Sequence, residues 1–185
     1  MSGKKSWTPY AATLAIAGAV VLFAWLNRDR LNPVEPGKPA PEFTAYDLQS
    51  APKTLADYRG KVLLLNIWAT WCPPCQQEMP SMQRLREAIP DEEFAILAVS
   101  VDAPLGEKDI FGREGGNLEV FAKTMGLTFQ ILHDPTGKIQ ETYQTTGVPE
   151  SFVVDRNGVI FKKIAGPMEW DAPANVDLIR RLLDG

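Results

Sequence analysis

The chain has 185 residues, 45% of them hydrophobic, with 19 Lys plus Arg against 23 Asp plus Glu and a formal charge of −4. That length supports one globular domain with a real core and is too short for two ordinary ones. No basic stripe with interleaved aromatics appears, which argues against a nucleic-acid partner, and no long-period repeat marks a solenoid or propeller.

The N-terminal segment differs from the rest. Between Ser6 and Asn27 lie 22 positions without a charged residue, and from Ala11 to Leu26 nearly every side chain is apolar. As a helix such a run reaches about 33 Å, close to the hydrocarbon thickness of a bilayer. Trp7 and Tyr10 at one end and Trp25 at the other suit the headgroup level. A cleaved signal peptide would be cut near Ala17-Gly18-Ala19, but Val20 to Leu26 still lie ahead of that site. A buried soluble helix would show a polar face, and this run has none. Lys4 and Lys5 precede it and Arg28 and Arg30 follow, so the free α-amino group tilts the N-terminus toward the cytoplasm. Four prolines between Asn32 and Pro41 then make a stiff, extended spacer. The expected organisation is a cytoplasmic tail over residues 1–9, a transmembrane anchor over 10–27, a proline-rich linker over 28–37 and a folded domain over 38–185 outside the cytoplasm.

Within the domain, Val62 to Trp68 is an apolar run of strand length, as in a strand buried on both faces. Cys72-Pro73-Pro74-Cys75 follows, and then Cys75, Met79, Met82, Leu85 and Ile89 recur at helical spacing. Phe94 to Val101 reads as a second buried strand. Asp102 to Asn117 reads as a hydrophilic surface loop without a phosphate-loop ending. A helix through Leu118 to Met125, a short strand over Thr128 to Leu132 and a polar helix near Lys138 to Tyr143 come next. Asn157-Gly158 between two apolar runs predicts a hairpin, and a helix through Val176 to Leu183 ends the chain. The order is β-α-β-α-β-α-β-β-α, which predicts a mixed sheet with helices on both faces.

The only cysteines are Cys72 and Cys75, and the only histidine is His133, too few ligands for a structural zinc site. So short a disulfide loop removes little entropy from the unfolded chain, which leaves a redox role. Cys72 falls between a buried strand and a helix start, where the helix dipole and unpaired N–H groups favour the thiolate that attacks in exchange. Cys75, one turn inside, is placed to resolve the mixed disulfide. Pro73 and Pro74 suit the first turn and withhold donors from Cys72, leaving the N–H of Cys75.

Trp68 to Cys75, W-A-T-W-C-P-P-C, resembles the active site of the thioredoxin superfamily, in particular its membrane-tethered TlpA, ResA and DsbE (CcmG) branch. The likeness runs from about Lys38 to the end. Its further anchors are Val99-Ser100-Val101-Asp102, Gly147-Val148-Pro149-Glu150-Ser151 and Gly166-Pro167-Met168-Glu169-Trp170, the last resembling TlpA most. The resemblance implies an α/β thioredoxin-like fold with a cis-proline at Pro149, substrate docking at Val148, and a flat apolar surface at Trp71. It also implies that Glu78 tunes the cysteines, whereas cytosolic thioredoxins use an aspartate where this chain has Asn66. The implied activity is reduction of envelope protein disulfides by the Cys72–Cys75 dithiol, on apocytochrome c, its maturation factors or copper-site cysteines. The implied electron source is a DsbD/CcdA-type membrane donor in the bacterial inner membrane; no cofactor or metal is implied. Thioredoxin-fold copper chaperones are an alternative, but they space their cysteines by three residues and use a distant histidine. Peroxiredoxin-type peroxidases are another, but they carry a threonine where this chain has Ala69.

Overall fold

The computed structural model describes residues 8–26, 33–90 and 92–185, without the side chains at positions 8, 9, 11, 24 and 26. Lys4, Lys5, Trp7, Arg28, Arg30 and the start of the expected linker lie outside the described residues. The chain divides into two units, Met1–Pro33 and Val34–Gly185.

The first unit holds helix α1, Thr8–Leu26. It exposes apolar side chains along its length, among them Leu14, Val21 and Phe23. Its 19 residues reach about 28 Å, and no helix among the described residues is long and apolar enough to cross a membrane. The expected anchor is therefore not confirmed by the described helix, and the uncharged run that suggests it extends past both helix ends.

The second unit is built on one mixed sheet of seven strands in the order β2-β1-β5-β4-β3-β6-β7. Its elements are β1 Thr44–Asp47, β2 Pro52–Thr54, a 3-10 turn Leu55–Tyr58, β3 Val62–Trp68, α2 Pro73–Ala88, β4 Phe94–Ser100 and α3 Leu118–Met125. They continue with β5 Gln130–His133, α4 Lys138–Thr142, β6 Glu150–Val154, β7 Ile160–Ala165 and α5 Pro173–Asp184. The strands β3, β4 and β5 are parallel, while β1 and β2 on one side and β6 and β7 on the other are antiparallel.

Every residue of β3 is buried because both sheet faces are covered. Val62, Leu64 and Trp68 point into a core shared with Met79, Met82 and Leu85 of α2, Ala122 of α3 and Ile179 of α5. Leu63, Leu65 and Ile67 point the other way, onto Leu55 and Tyr58 of the 3-10 turn and Ile139 of α4. Each such large side chain contributes roughly 1.5–3 kcal/mol by leaving water.

Three details depart from expectation. The strands β1 and β2 precede β3, where the sequence pattern predicts no strand. His133, one residue past the strand expected over Thr128 to Leu132, is the last residue of β5. Asp102 and Ala103, read as part of a surface loop, are buried.

The sheet's directions decide where the functional loops meet. Because β6 runs antiparallel to β3, with Ile67 opposite Glu150, the start of β6 lies beside the end of β3. Because β4 is parallel to β3, with Trp68 opposite Ser100, the chain leaving β4 emerges at the same edge. Residues following 68 and 100, and those preceding 150, therefore converge.

Candidate active site

Cys72 is the N-cap of α2: its backbone is extended, and its sulfur accepts a hydrogen bond from the N–H of Cys75 at 3.2 Å. Pro73 and Pro74 fill the first two helical positions and have no N–H to add. Cys72 and Cys75 form a disulfide with Cα atoms 5.3 Å apart. Cys75 is fully buried, whereas Cys72 keeps 4% exposure. An incoming group can reach Cys72 alone.

The carbonyl oxygen of Val148 lies 3.5 Å from Cys72 Sγ. The Val148–Pro149 bond is cis, and the Val148 contact sets the segment matched by resemblance against the attacking sulfur. Trp68 is fully buried and packs on Phe121, ring centroids 4.9 Å apart. Trp71 is half-buried and lies beneath the Arg113 guanidinium, whose carbon is 3.5 Å from the ring centroid.

Glu78, one turn beyond Cys75, is 2% exposed. Its Oε1 accepts a hydrogen bond from Asn66 Nδ2 at 2.7 Å, and Oε2 accepts from the Met168 N–H at 3.2 Å and Trp170 Nε1 at 3.4 Å. Asn66 Nδ2 also donates to Ser151 Oγ at 2.9 Å. Burial pushes the Glu78 carboxyl up to about 7, against the downward pull of these three donors. Asn66 occupies the inward face of β3 between Leu64 and Trp68, so it supplies the polar contact in an otherwise apolar wall.

A second buried carboxylate was not picked out from the sequence. Asp102 Oδ2 accepts from the Thr70 N–H at 2.8 Å and from Ser100 Oγ, and Oδ1 accepts from Thr70 Oγ1 and from the Gly116 N–H at 3.2 Å. It thus fixes the turn that carries Trp71 and Cys72. Asp102 lies in the segment Val99-Ser100-Val101-Asp102 that carries the family resemblance, and the sequence signal for its role is an acidic residue directly after a buried strand. His133 Nε2 lies 2.9 Å from the Asp102 carbonyl oxygen and is engaged there. Among the described residues no group of His, Cys, Asp and Glu is arranged to hold a metal ion.

The arrangement suits thiol–disulfide exchange: one reachable sulfur at a helix N-terminus, a shielded partner sulfur, and a backbone carbonyl beside the reacting atom. Comparisons with known proteins agree. Residues 36–163 match the AhpC/TSA family. The chain is 39% identical over 132 residues to thiol-disulfide oxidoreductase ResA of Geobacillus thermodenitrificans, covering 71% of this chain and 70% of that one. It is 38% identical over 128 residues to the thioredoxin-like protein YneN of Bacillus subtilis, covering 69% of each. Among solved structures, a Chlorobium tepidum protein assigned as thiol:disulfide interchange protein DsbE superposes with a TM-score of 0.64 at 28% identity, over 80% of this chain and 95% of that one.

Proposed function

From the premise that the chain belongs to the AhpC/TSA family, as a thiol-disulfide oxidoreductase of the ResA and DsbE type, we propose that it reduces disulfides of proteins outside the cytoplasm. The observation that carries this reading is the Cys72–Cys75 disulfide at the head of α2, with only Cys72 reachable and the Val148 carbonyl beside it.

In the reducing direction, the Cys72 thiolate attacks one sulfur of the client disulfide and expels the other as a thiolate. Cys75 then loses its proton, attacks Cys72 Sγ and releases the second client sulfur. The client gains two electrons and the protein ends as the disulfide. The helix N-terminus and the Cys75 N–H favour the Cys72 thiolate. Glu78 accepts the proton of Cys75, and a carboxyl titrating near neutrality is suited to both taking and returning it. Val148 and Trp71 form the docking rim, the Val148 backbone pairing with the client chain. A membrane donor of the DsbD/CcdA kind returns the enzyme to its dithiol. The clients are proteins of cytochrome c maturation or of copper-site assembly.

We further propose that residues 10–27 anchor the protein in the bacterial inner membrane with the catalytic domain on the outer side. The uncharged run from Ser6 to Asn27 and the exposed apolar side chains of α1 support this reading.

Replacing Cys75 with Ala tests the exchange directly. The variant should accumulate mixed disulfides through Cys72 with a small set of extracytoplasmic proteins. Recovery of nonspecific thiols alone would contradict a dedicated reductase.

A further inference from the structure

We infer that residues 103–116, between β4 and α3, form a docking ledge for apolar side chains flanking the client's disulfide; this rests on the exchange reading of Cys72 and Cys75. The ledge exposes apolar side chains: Ile110 is 93% and Phe111 75% exposed at its tip, and Leu105, opposite Gly115 nearer the base, is 66% exposed. Exposed apolar groups this large are unfavourable in water and, when clustered, mark contact surfaces.

The tip is held out by its own hydrogen bonds. Asp109 Oδ1 accepts from the N–H groups of Phe111 at 2.8 Å and Arg113 at 2.9 Å, and Arg113 Nε donates to Asp109 Oδ2. The backbone pairs Leu105 with Gly115 and Lys108 with Glu114. A ledge ordered in advance loses little freedom when a client settles on it.

The same loop is fastened to the redox turn. The Arg113 guanidinium carbon stands 3.5 Å from the Trp71 ring centroid and 4.8 Å from that of Phe111, so one cation joins the exposed phenyl ring to the residue preceding Cys72. At the base, the Gly116 N–H reaches Asp102, the carboxylate that also holds Thr70. A Cβ on Gly115 would come within 2.0 Å of the Ala103 carbonyl oxygen, and one on Gly116 within 2.2 Å of Thr70 Oγ1. The ledge is therefore continuous with the surface a client must touch to reach Cys72.

Charge narrows the occupant. Arg113 is neutralised by Asp109, and Lys108 pairs with Glu114 at 3.3 Å. Glu107 adds a negative charge, which disfavours acidic segments and anionic lipid headgroups. The exposed Ile110 and Phe111 then match an apolar, non-acidic stretch of polypeptide beside the disulfide.

The test uses the full chain, reduced, with three substrates: a disulfide-looped peptide flanked by Leu, Val and Phe, the same loop flanked by Ser and Thr, and a small aromatic disulfide. The double substitution Ile110→Ser and Phe111→Ser should lower kcat/KM on the apolar peptide about tenfold more than on the other two. An equal change on all three substrates would overturn the ledge. Failure of the unsubstituted protein to reduce any of them would instead overturn the exchange reading. Brominated-lipid quenching in reconstituted vesicles that is greater for Phe111→Trp than for the unsubstituted protein, whose own tryptophans set the baseline, with peptide selectivity unchanged in the double variant, would assign the tip to the membrane and overturn the ledge as well.

Discussion

Glu78 shows how much a single buried carboxyl can control. In the unfolded chain it titrates near its ordinary value of 4.5, and in the folded protein burial raises it to about 7. Between these values the folded state holds a proton that the unfolded state has released. Stability from this group is therefore greatest below the unfolded value and falls as pH rises, and the full cost is in place above about pH 7. A shift of this size corresponds to something on the order of 3 kcal/mol. Glu78→Gln should remove that slope, so urea midpoints of the oxidised proteins should show wild type losing stability to the variant between about pH 5 and pH 8. Parallel profiles would show that Glu78 does not titrate in this range. The position of Glu78 is legible from its spacing to Cys75, and Asn66 stands out by the resemblance to thioredoxins, which carry an aspartate at that place. The partners Met168 and Trp170 were not, because they sit 90 and 92 residues away and reach Glu78 only through the packing of the segment before α5. Asp102 was hidden for the same reason: its partners come from three separate segments.

At the scale of elements, the head of α2 is the decisive unit. Its first two positions are prolines, so the Cys75 N–H is the donor the first turn offers to the Cys72 sulfur. Pro74→Ala restores an N–H at the second position, where N-cap side chains commonly find a partner. A second donor would stabilise the thiolate and with it the reduced form. The Cys72 pKa should fall by about one unit and the reduction potential should become less negative by on the order of 30 mV. Thiol alkylation against pH and equilibration with glutathione would measure both; an unchanged potential would show that the added N–H does not reach the sulfur. The long buried strands, α2 and the hairpin at Asn157-Gly158 were legible because continuous apolar runs, helical spacing and turn chemistry are local signals. The strands β1 and β2 were not. Ala45 is the one buried residue of β1, and β2 opens with Pro52 at the sheet edge, where a missing N–H is tolerated. Neither carries an alternation that separates it from a loop. The ledge at 103–116 was likewise read as plain loop, since its polar composition hides both its buried base and its apolar tip.

For the whole molecule, one sheet with two covered faces brings three distant stretches to a single edge, and the disulfide sits where they meet. The fold and the reactive pair were readable from order and motif. The convergence of Val148, Thr70 and Asp102 around them depended on strand direction and register, which a linear reading cannot supply. The proposed reductase must be kept as a dithiol, and it must stand on the outer side of the membrane. A membrane-impermeant maleimide added to intact spheroplasts measures both at once. Cys72, the reachable sulfur, should be labelled without added reductant, and labelling should disappear when the membrane thiol donor is removed. Labelling that requires prior reduction while the donor is present, or that appears only after lysis, would contradict an extracytoplasmic reductase.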